Sequence, residues 1–432
     1  MLTALYSAIS GLNANGLSLS VIGDNVANMN TVGFKASRIS FGDVLSQTIT
    51  GVAGDSQVGR GVLVTDVSPL FTQGSFETTA SGLDMAIDGD GFFIVSDGLG
   101  RYYTRAGQFT LNDEGKIVNP DGLALQGYVA DASGNITGTI GEFSVSSQAS
   151  PANATQKVTL TINLDARASI VTAGFTLDGN GDGTNDDPAN FSYSTQLTIY
   201  DSQGAAHDIT AYYVKTADNA WDVHYIYEDP ANPGQYLDAG TQNLTFGTDG
   251  ELVNDNSATA ISFNFGTAVT SPQNVTFNYG TGTGETPAGT GLDGTTQFAS
   301  EFAVMDLIQD GYASGSLKNL NIEQDGTITG IFTNGQTRVI GRVALAKFVA
   351  PTELTKLGGN LYAQSYNSGQ PIVSAAGSGG LGRVLSNTLE LSNVDLAEEF
   401  IRMISSQRGF QANSRIITTT DDLLQELVNL KR

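Results

Sequence analysis

The chain has 432 residues, 52 of them Gly and none Cys, and its 20 Lys and Arg stand against 44 acids for a formal charge of −24. That length exceeds one ordinary core and suits two to four domains, and the Gly-rich, acidic profile is that of a β-rich, turn-rich extracellular protein. It excludes a disulfide framework and a thiolate nucleophile or metal ligand, and it repels nucleic acid and anionic lipid. The ends are nearly neutral: residues 1–60 hold three acids and three bases, residues 391–432 hold six and five, so the middle carries −23. Association through the ends is the expectation.

Thr3 to Asn28 reads as a heptad helix, with Leu5, Leu12, Leu19 and Val26 at every seventh position and Ala8, Asn15, Ile22 and Met29 three places after each. From Met1 to Gly23 no side chain carries a charge at neutral pH, and the face away from the leucines is Ser, Asn, Thr and Gly. A solvated helix face carries Lys and Glu, so this one is built to be surrounded by other helices. Gly11, Gly16 and Gly23 each cost it about 1 kcal/mol relative to Ala. No base precedes Lys35 and no continuous apolar run occurs, so export is expected by a route that removes no signal peptide. No stretch reaches membrane-spanning length.

Asn28 to Lys35 is a helix exit of Asn and Gly, and residues 40–80 read as an extended connector with short strands. Leu83 to Val95 gives a strand, an Asp-Gly turn and a second strand, and Tyr102–Leu111 and Gly122–Tyr128 continue as short strands. After Phe143 the pattern becomes strictly alternating. Val158, Leu160, Ile162 and Leu164 make one strand face, Trp221, Val223, Tyr225 and Tyr227 another opposite Ile209–Val214, and Ile261–Phe265 and Val275–Tyr279 repeat the pattern. This is an all-β insert, a sandwich or barrel, ending in the Gly/Thr stretch Gly280–Gly294, read as a mobile loop or boundary. Strands resume at Ile328–Phe332 and Arg338–Phe348.

Leu391 to Leu430 reads as a second long helix, with Leu396, Met403, Phe410, Ile417 and Leu424 on one heptad line and Ser406, Asn413 and Thr420 three places after it. Ser392 to Asp395 supplies a capping box, Glu398 and Glu399 favour the helix start, and Lys431 and Arg432 close its negative end. Two ends that share one period are expected to meet, across a seam with polar positions in its middle.

Constellations that would carry chemistry are weak. Asp84, Asp88 and Asp90 read as turn residues beside Gly. Asp178 to Gly183 fits the first half of a calcium loop, but Ala189 stands where a bidentate Glu belongs, so a solvated acidic loop is the default and a calcium site the alternative. His207 and His224 stand in no metal-ligand spacing. With no nucleophile elbow or phosphate loop, no catalytic, cofactor or metal residue is assigned and no enzyme activity is expected.

Several of these segments resemble the axial proteins of the bacterial flagellum. Asp24 to Lys35, with Asn25, Asn28, Asn30, Thr31, Gly33 and Phe34, is similar to the signature near the start of the flagellar rod, hook and hook-associated proteins. Leu83–Val95 and the strands after it resemble their conserved β-domain, and Asp310–Tyr312, Asn334–Thr337 and Gly341–Ala346 its second crossing. Asn393, Asp395, Gln407, Arg408, Gln411 and Asn413 match the terminal signature, although Gly409 stands where the resemblance leads one to expect Ala or Asn. The large insert favours the hook branch over the distal rod protein; an extracellular β-rich adhesin and a β-rich hydrolase are the alternatives outside the family.

The resemblance implies a mainly β fold with a terminal α-helical coiled coil and nested, discontinuous domains. These are 1–30 with 391–432 (helical), 31–145 with 298–390 (inner β-domain and connector) and 146–297 (outer insert). It implies a subunit of a hollow, bendable tube that assembles with itself. Its other partners would be the distal rod protein, hook cap, hook-length control protein, hook-filament junction protein and type III export apparatus. Neither nucleic acid nor membrane insertion is expected.

Overall fold

A computed structural model describes residues 2–44, 47–51, 54–131, 134–145 and 150–429. Helix α1 (Leu2–Ala27) and helix α2 (Leu396–Asn429) pack on each other, and the described residues between them are strand, turn and loop apart from one short 3-10 turn, Pro351–Glu353. The fold is mainly β with paired terminal helices. Helix α2 starts at Leu396 rather than Leu391 because Asp395 is its N-cap, its Oδ1 accepting the N–H groups of Ala397 (2.8 Å) and Glu398 (3.2 Å). Ser392 instead accepts from Val394 N. Lys431 and Arg432 lie outside the described residues.

Two compact units divide the chain. The first is Met1–Ser147, Lys318–Ile331 and Thr337–Arg432; the second is Gln148–Leu317 with Phe332–Gln336. In the first unit the connector is more regular than its composition suggested: Ser37–Asp43 pairs with Val62–Pro69, and Gln47–Gly51 with Gly54–Val58. The two strands flanking the Asp-Gly turn do not form a hairpin. Met85–Asp88 pairs with Arg383–Ser386, whereas Phe92–Ser96 joins the main sheet between Arg101–Thr104 and Ala124–Ala130 and also meets Thr337–Lys347. Gly89 and Gly91, at φ of 112° and 133°, let the chain change sheets there. Phe92, Tyr103, Phe348 and Tyr362 close the core of this sheet by edge-to-face contacts.

The second unit is a sandwich. One sheet runs Tyr193–Tyr200, Ala206–Ala217, Ala220–Glu228, Tyr236–Phe246 and Leu252–Asn254; the other runs Ile261–Phe263, Gln273–Asn278, Lys157–Asn163 and Ala303–Gln309. Their alternating inward residues share one core, with Trp221, Tyr213, Tyr225, Tyr279, Phe263 and Phe277 fully buried. The unit continues past residue 297 because Ala303–Gln309 pairs with Lys157–Asn163 along its length. Residues 280–294 are no boundary either. Thr283 N and Gly284 N bond to Leu252 O and Val253 O, folding the stretch onto the last strand of the larger sheet.

Candidate functional site

The helix pair is held by small and polar side chains. Asn25 Nδ2 donates to Glu399 Oε1 (3.3 Å), the Ser18 and Ser406 hydroxyls lie 3.0 Å apart, and a Cβ on Gly11 would stand 2.7 Å from Asn413 Nδ2. Each step of seven down α1 is met by a step of seven up α2, so the helices run antiparallel in a single register. Ala8, Gly11, Ala14, Ser18, Ile22 and Asn25 are the buried line of α1. Leu5, Leu12, Leu19 and Val26 are half-buried and flank it, and Met29 lies beyond the helix and is exposed. The seam therefore follows the residue before each of Leu12, Leu19 and Val26, because Gly, Ala and Ser admit a closer helix than Leu does. On α2, Glu399 and Thr420 are buried, and Leu396, Met403, Ser406, Asn413, Ile417 and Leu424 half-buried; Phe410 is partly turned out.

The outward faces are apolar where they need not be. Tyr6, Ile9 and Leu17 on α1, and Phe400, Ile401, Ile404, Ile416 and Leu423 on α2, are exposed, Tyr6 to 66 % and Ile401 to 69 %. Gln407, Arg408 and Gln411 are exposed among them.

Where the helices meet the sheet, the two chain ends are stitched together. Asn25 bonds both the carbonyl and the N–H of Ser37, at 2.9 and 2.8 Å. Asn28 caps the end of α1 through Asp24 O (2.9 Å) and accepts from Thr31 Oγ1. Gly33 has φ +70° and donates its N–H to Glu390 O; a Cβ there would stand 2.5 Å from Ala106 N, which is why only Gly fits. Phe34 is buried, Asn30 exposed, and Asn393 spans from Ala36 N to Leu70 O, both at 2.8 Å.

Sequence reading missed the centre of this junction. Glu390 Oε1 lies 2.6 Å from Lys35 Nζ with both side chains fully buried, and its Oε2 lies 3.4 Å from Arg105 Nη1. Lys35 also donates to Thr72 O, and Gly74 N to Glu390 Oε1. Burial pushes the Lys35 ammonium below its usual range, and the Glu390 carboxylate opposes that shift; Arg105 is lowered by burial in the same way. Lys35 was visible as the first base of the chain, but nothing local marks Glu390 as its partner.

Other acids engage separate partners: Asp84 accepts from Thr79, Asp88 pairs with Arg383 and Asp90 with Lys347. Both oxygens of Asp178 accept backbone N–H groups, from Gly181, Asp182 and Gly183. His207 is paired with Asp201 and stacked on Phe265, and His224 with Asp238 and Phe175.

Four family models match in tandem. These are the flagella basal body rod protein (residues 5–35), the flagellar hook protein FlgE/F/G D1 domain (86–180), the flagellar basal body protein FlaE D2 domain (163–312) and the flagellar basal body rod FlgEFG protein C-terminal region (385–430). The flagellar hook protein FlgE of Borreliella burgdorferi is 34 % identical over 100 % of both chains. The chain belongs to the flagellar hook protein family. The FlgE of Salmonella typhimurium is 35 % identical over 98 % of this chain and 99 % of its own. A solved flagellar hook protein FlgE2 of Helicobacter pylori covers 71 % of this chain and 98 % of its own at 14 % identity and a TM-score of 0.48. In this hook-family chain the helix seam lies within the two terminal matches, and the sandwich, apart from most of its Lys157–Asn163 strand, within the FlaE D2 match.

Proposed function

We propose that the chain is a structural subunit that polymerises with copies of itself into the flagellar hook, the curved, bendable tube between the motor's rod and the filament. The observation that carries this reading is the exposed apolar residues on the outward faces of both helices, from Tyr6, Ile9 and Leu17 to Ile401, Ile404 and Leu423. Water is a poor neighbour for such a surface, and copies of the same α1, whose one charged side chain is Asp24, are a good one. Leu5, Leu12, Leu19, Val26, Leu396, Met403, Phe410, Ile417 and Leu424 then complete their burial between helices of neighbouring subunits.

On this reading the helices line the tube, the inner β-domain forms its wall, and the sandwich its outer surface outside the cell. Outer domains slide against neighbours as the tube bends while the helices keep continuity. The distal rod protein, the hook cap, the hook-length control protein, the hook-filament junction protein and the type III export apparatus are the partners that go with it. Electron microscopy of purified chain after addition of salt tests the proposal: hollow tubes are expected, and a chain that stays monomeric or aggregates amorphously overturns it.

A further inference from the structure

Gly409 sits against Asn15: a Cβ on Gly409 would stand 2.8 Å from Asn15 Oδ1. One turn further along each helix the arrangement is reversed, with Gly11 against Asn413, where a Cβ would stand 2.7 Å from Nδ2. Asn15 is itself held, its Nδ2 donating to Gly11 O at 2.7 Å. Each helix thus carries Gly-x-x-x-Asn, and the antiparallel docking places each Asn over the other helix's Gly.

We propose that Gly11, Asn15, Gly409 and Asn413 are positioning residues that set the register of α1 against α2, and with it the height at which each subunit's α2 enters the tube. The rest of the seam is permissive. A slide of one heptad would set Asn25 against Ser406 and Ser18 against Asn413, exchanging one polar pairing for another, and among the described residues Ile22 is the only large apolar side chain buried on the α1 side. Apolar burial therefore does little to choose among heptad steps. Shape does: in the observed register each Asn amide rests against a residue without a Cβ, at a distance where a Cβ would push the amide aside, and the slide moves Asn15 away from Gly409 and Asn413 away from Gly11. The step from register to tube rests on the proposed function; the register itself does not.

The natural absence of Cys allows a direct test by oxidative cross-linking of the full chain with diamide. Ser18→Cys with Ser406→Cys reports the observed register, and Asn25→Cys with Ser406→Cys reports a slide of one heptad. In the otherwise native seam the first pair is expected to cross-link and the second not. Gly409→Ala should lower the first yield several-fold, and adding Asn15→Ala, which removes the facing amide, should restore it. Adding Asn413→Ala, which does not face residue 409, should not.

A merely structural role predicts that both double variants are equally poor, and that result overturns the proposal, as does a Gly409→Ala chain that cross-links like its parent. Tubes of the Gly409→Ala chain should be absent or changed in subunit rise, with recovery in Asn15→Ala/Gly409→Ala. Tubes identical to the parent's overturn the link to assembly. A parent chain that forms no tubes but cross-links in register overturns the proposed function alone.

Discussion

The sandwich core and the helix seam are built on opposite principles. In the sandwich, Trp221, Tyr213, Tyr225, Phe263, Phe277 and Tyr279 are all fully buried, and each such aromatic removes roughly 150–250 Å² from water. Their polar atoms are satisfied inside: Tyr279 OH lies 3.3 Å from Tyr213 OH and 3.0 Å from Tyr225 OH, which donates to Gln242 at 2.8 Å, while Trp221 Nε1 donates to Gln297. The seam buries one Ile among Ala, Gly, Ser and Asn on its α1 side, and leaves Glu399 Oε2 buried without a partner among the described residues. A core of the first kind is stable by itself. A seam of the second kind gains most of its stability from what surrounds it, so one chain combines a self-sufficient body with ends that wait for neighbours. Charge reinforces the division: the second unit carries 20 acids against three bases and α1 a single acid, so copies of the unit repel far more than copies of α1 do.

The sharpest way to break this comparison is to remove residues 396–432. Tube formation is expected to vanish while the melting of the sandwich, followed by the fluorescence of the sole Trp, Trp221, stays where it was; a shared loss of both would mean the ends support the body after all. Glu390→Gln comes next. It leaves Lys35 and Arg105 as buried cations without their acid and is expected to cost the first unit about 3–5 kcal/mol, with the Trp221 transition unmoved in calorimetry and fluorescence run side by side. Lys35→Met should cost less, since Arg105 still faces the carboxylate.

Within the sandwich, Tyr279→Phe removes the hydroxyl that links Tyr213 to Tyr225. A loss of about 1–2 kcal/mol in denaturant titration is expected, with assembly intact. The smallest effect belongs to the 280–294 stretch. Burial, and then the neighbouring Asp255 carboxylate, push Glu285 above the usual Glu range. A group raised on folding contributes stability that is present in acid and lost as pH rises through its folded value. Exchange protection of the Thr283 and Gly284 amides should therefore fall modestly as pH rises from the ordinary Glu range through the higher folded value, and Glu285→Gln should flatten that slope.

The sandwich was legible because alternation is a local signal: Trp221 to Tyr227 and Val158 to Leu164 announce a buried face with no knowledge of the partner strand. The heptad period of both ends was legible for the same reason. Which face of α1 turns inward was not. Period alone favours the leucine line, whereas packing chose the Gly11, Ser18, Asn25 line, and that choice depends on Asn413 and Ser406 some four hundred residues away in the chain. The Lys35–Glu390–Arg105 cluster was hidden in the same way, its partners standing 355 and 285 residues apart in the chain. The Gly280–Gly294 stretch looked mobile because nothing in it forms a core, yet its backbone groups are satisfied by the neighbouring Leu252–Asn254 strand.

The stitching of the two chain segments between the helices and the sheet has a mechanical meaning. Gly33 N to Glu390 O at 2.8 Å, Ala36 N to Asn393 Oδ1 at 2.8 Å and the Lys35–Glu390 pair bind the outgoing and returning segments side by side. Two separate tethers would wind around each other when the helix pair is turned, absorbing rotation as slack. Bonded to each other and to Leu70 and Thr72, they form one short strut with little torsional give. Torque applied at the helices is thus handed to the sheet within the same subunit, and compliance in bending has to come from elsewhere.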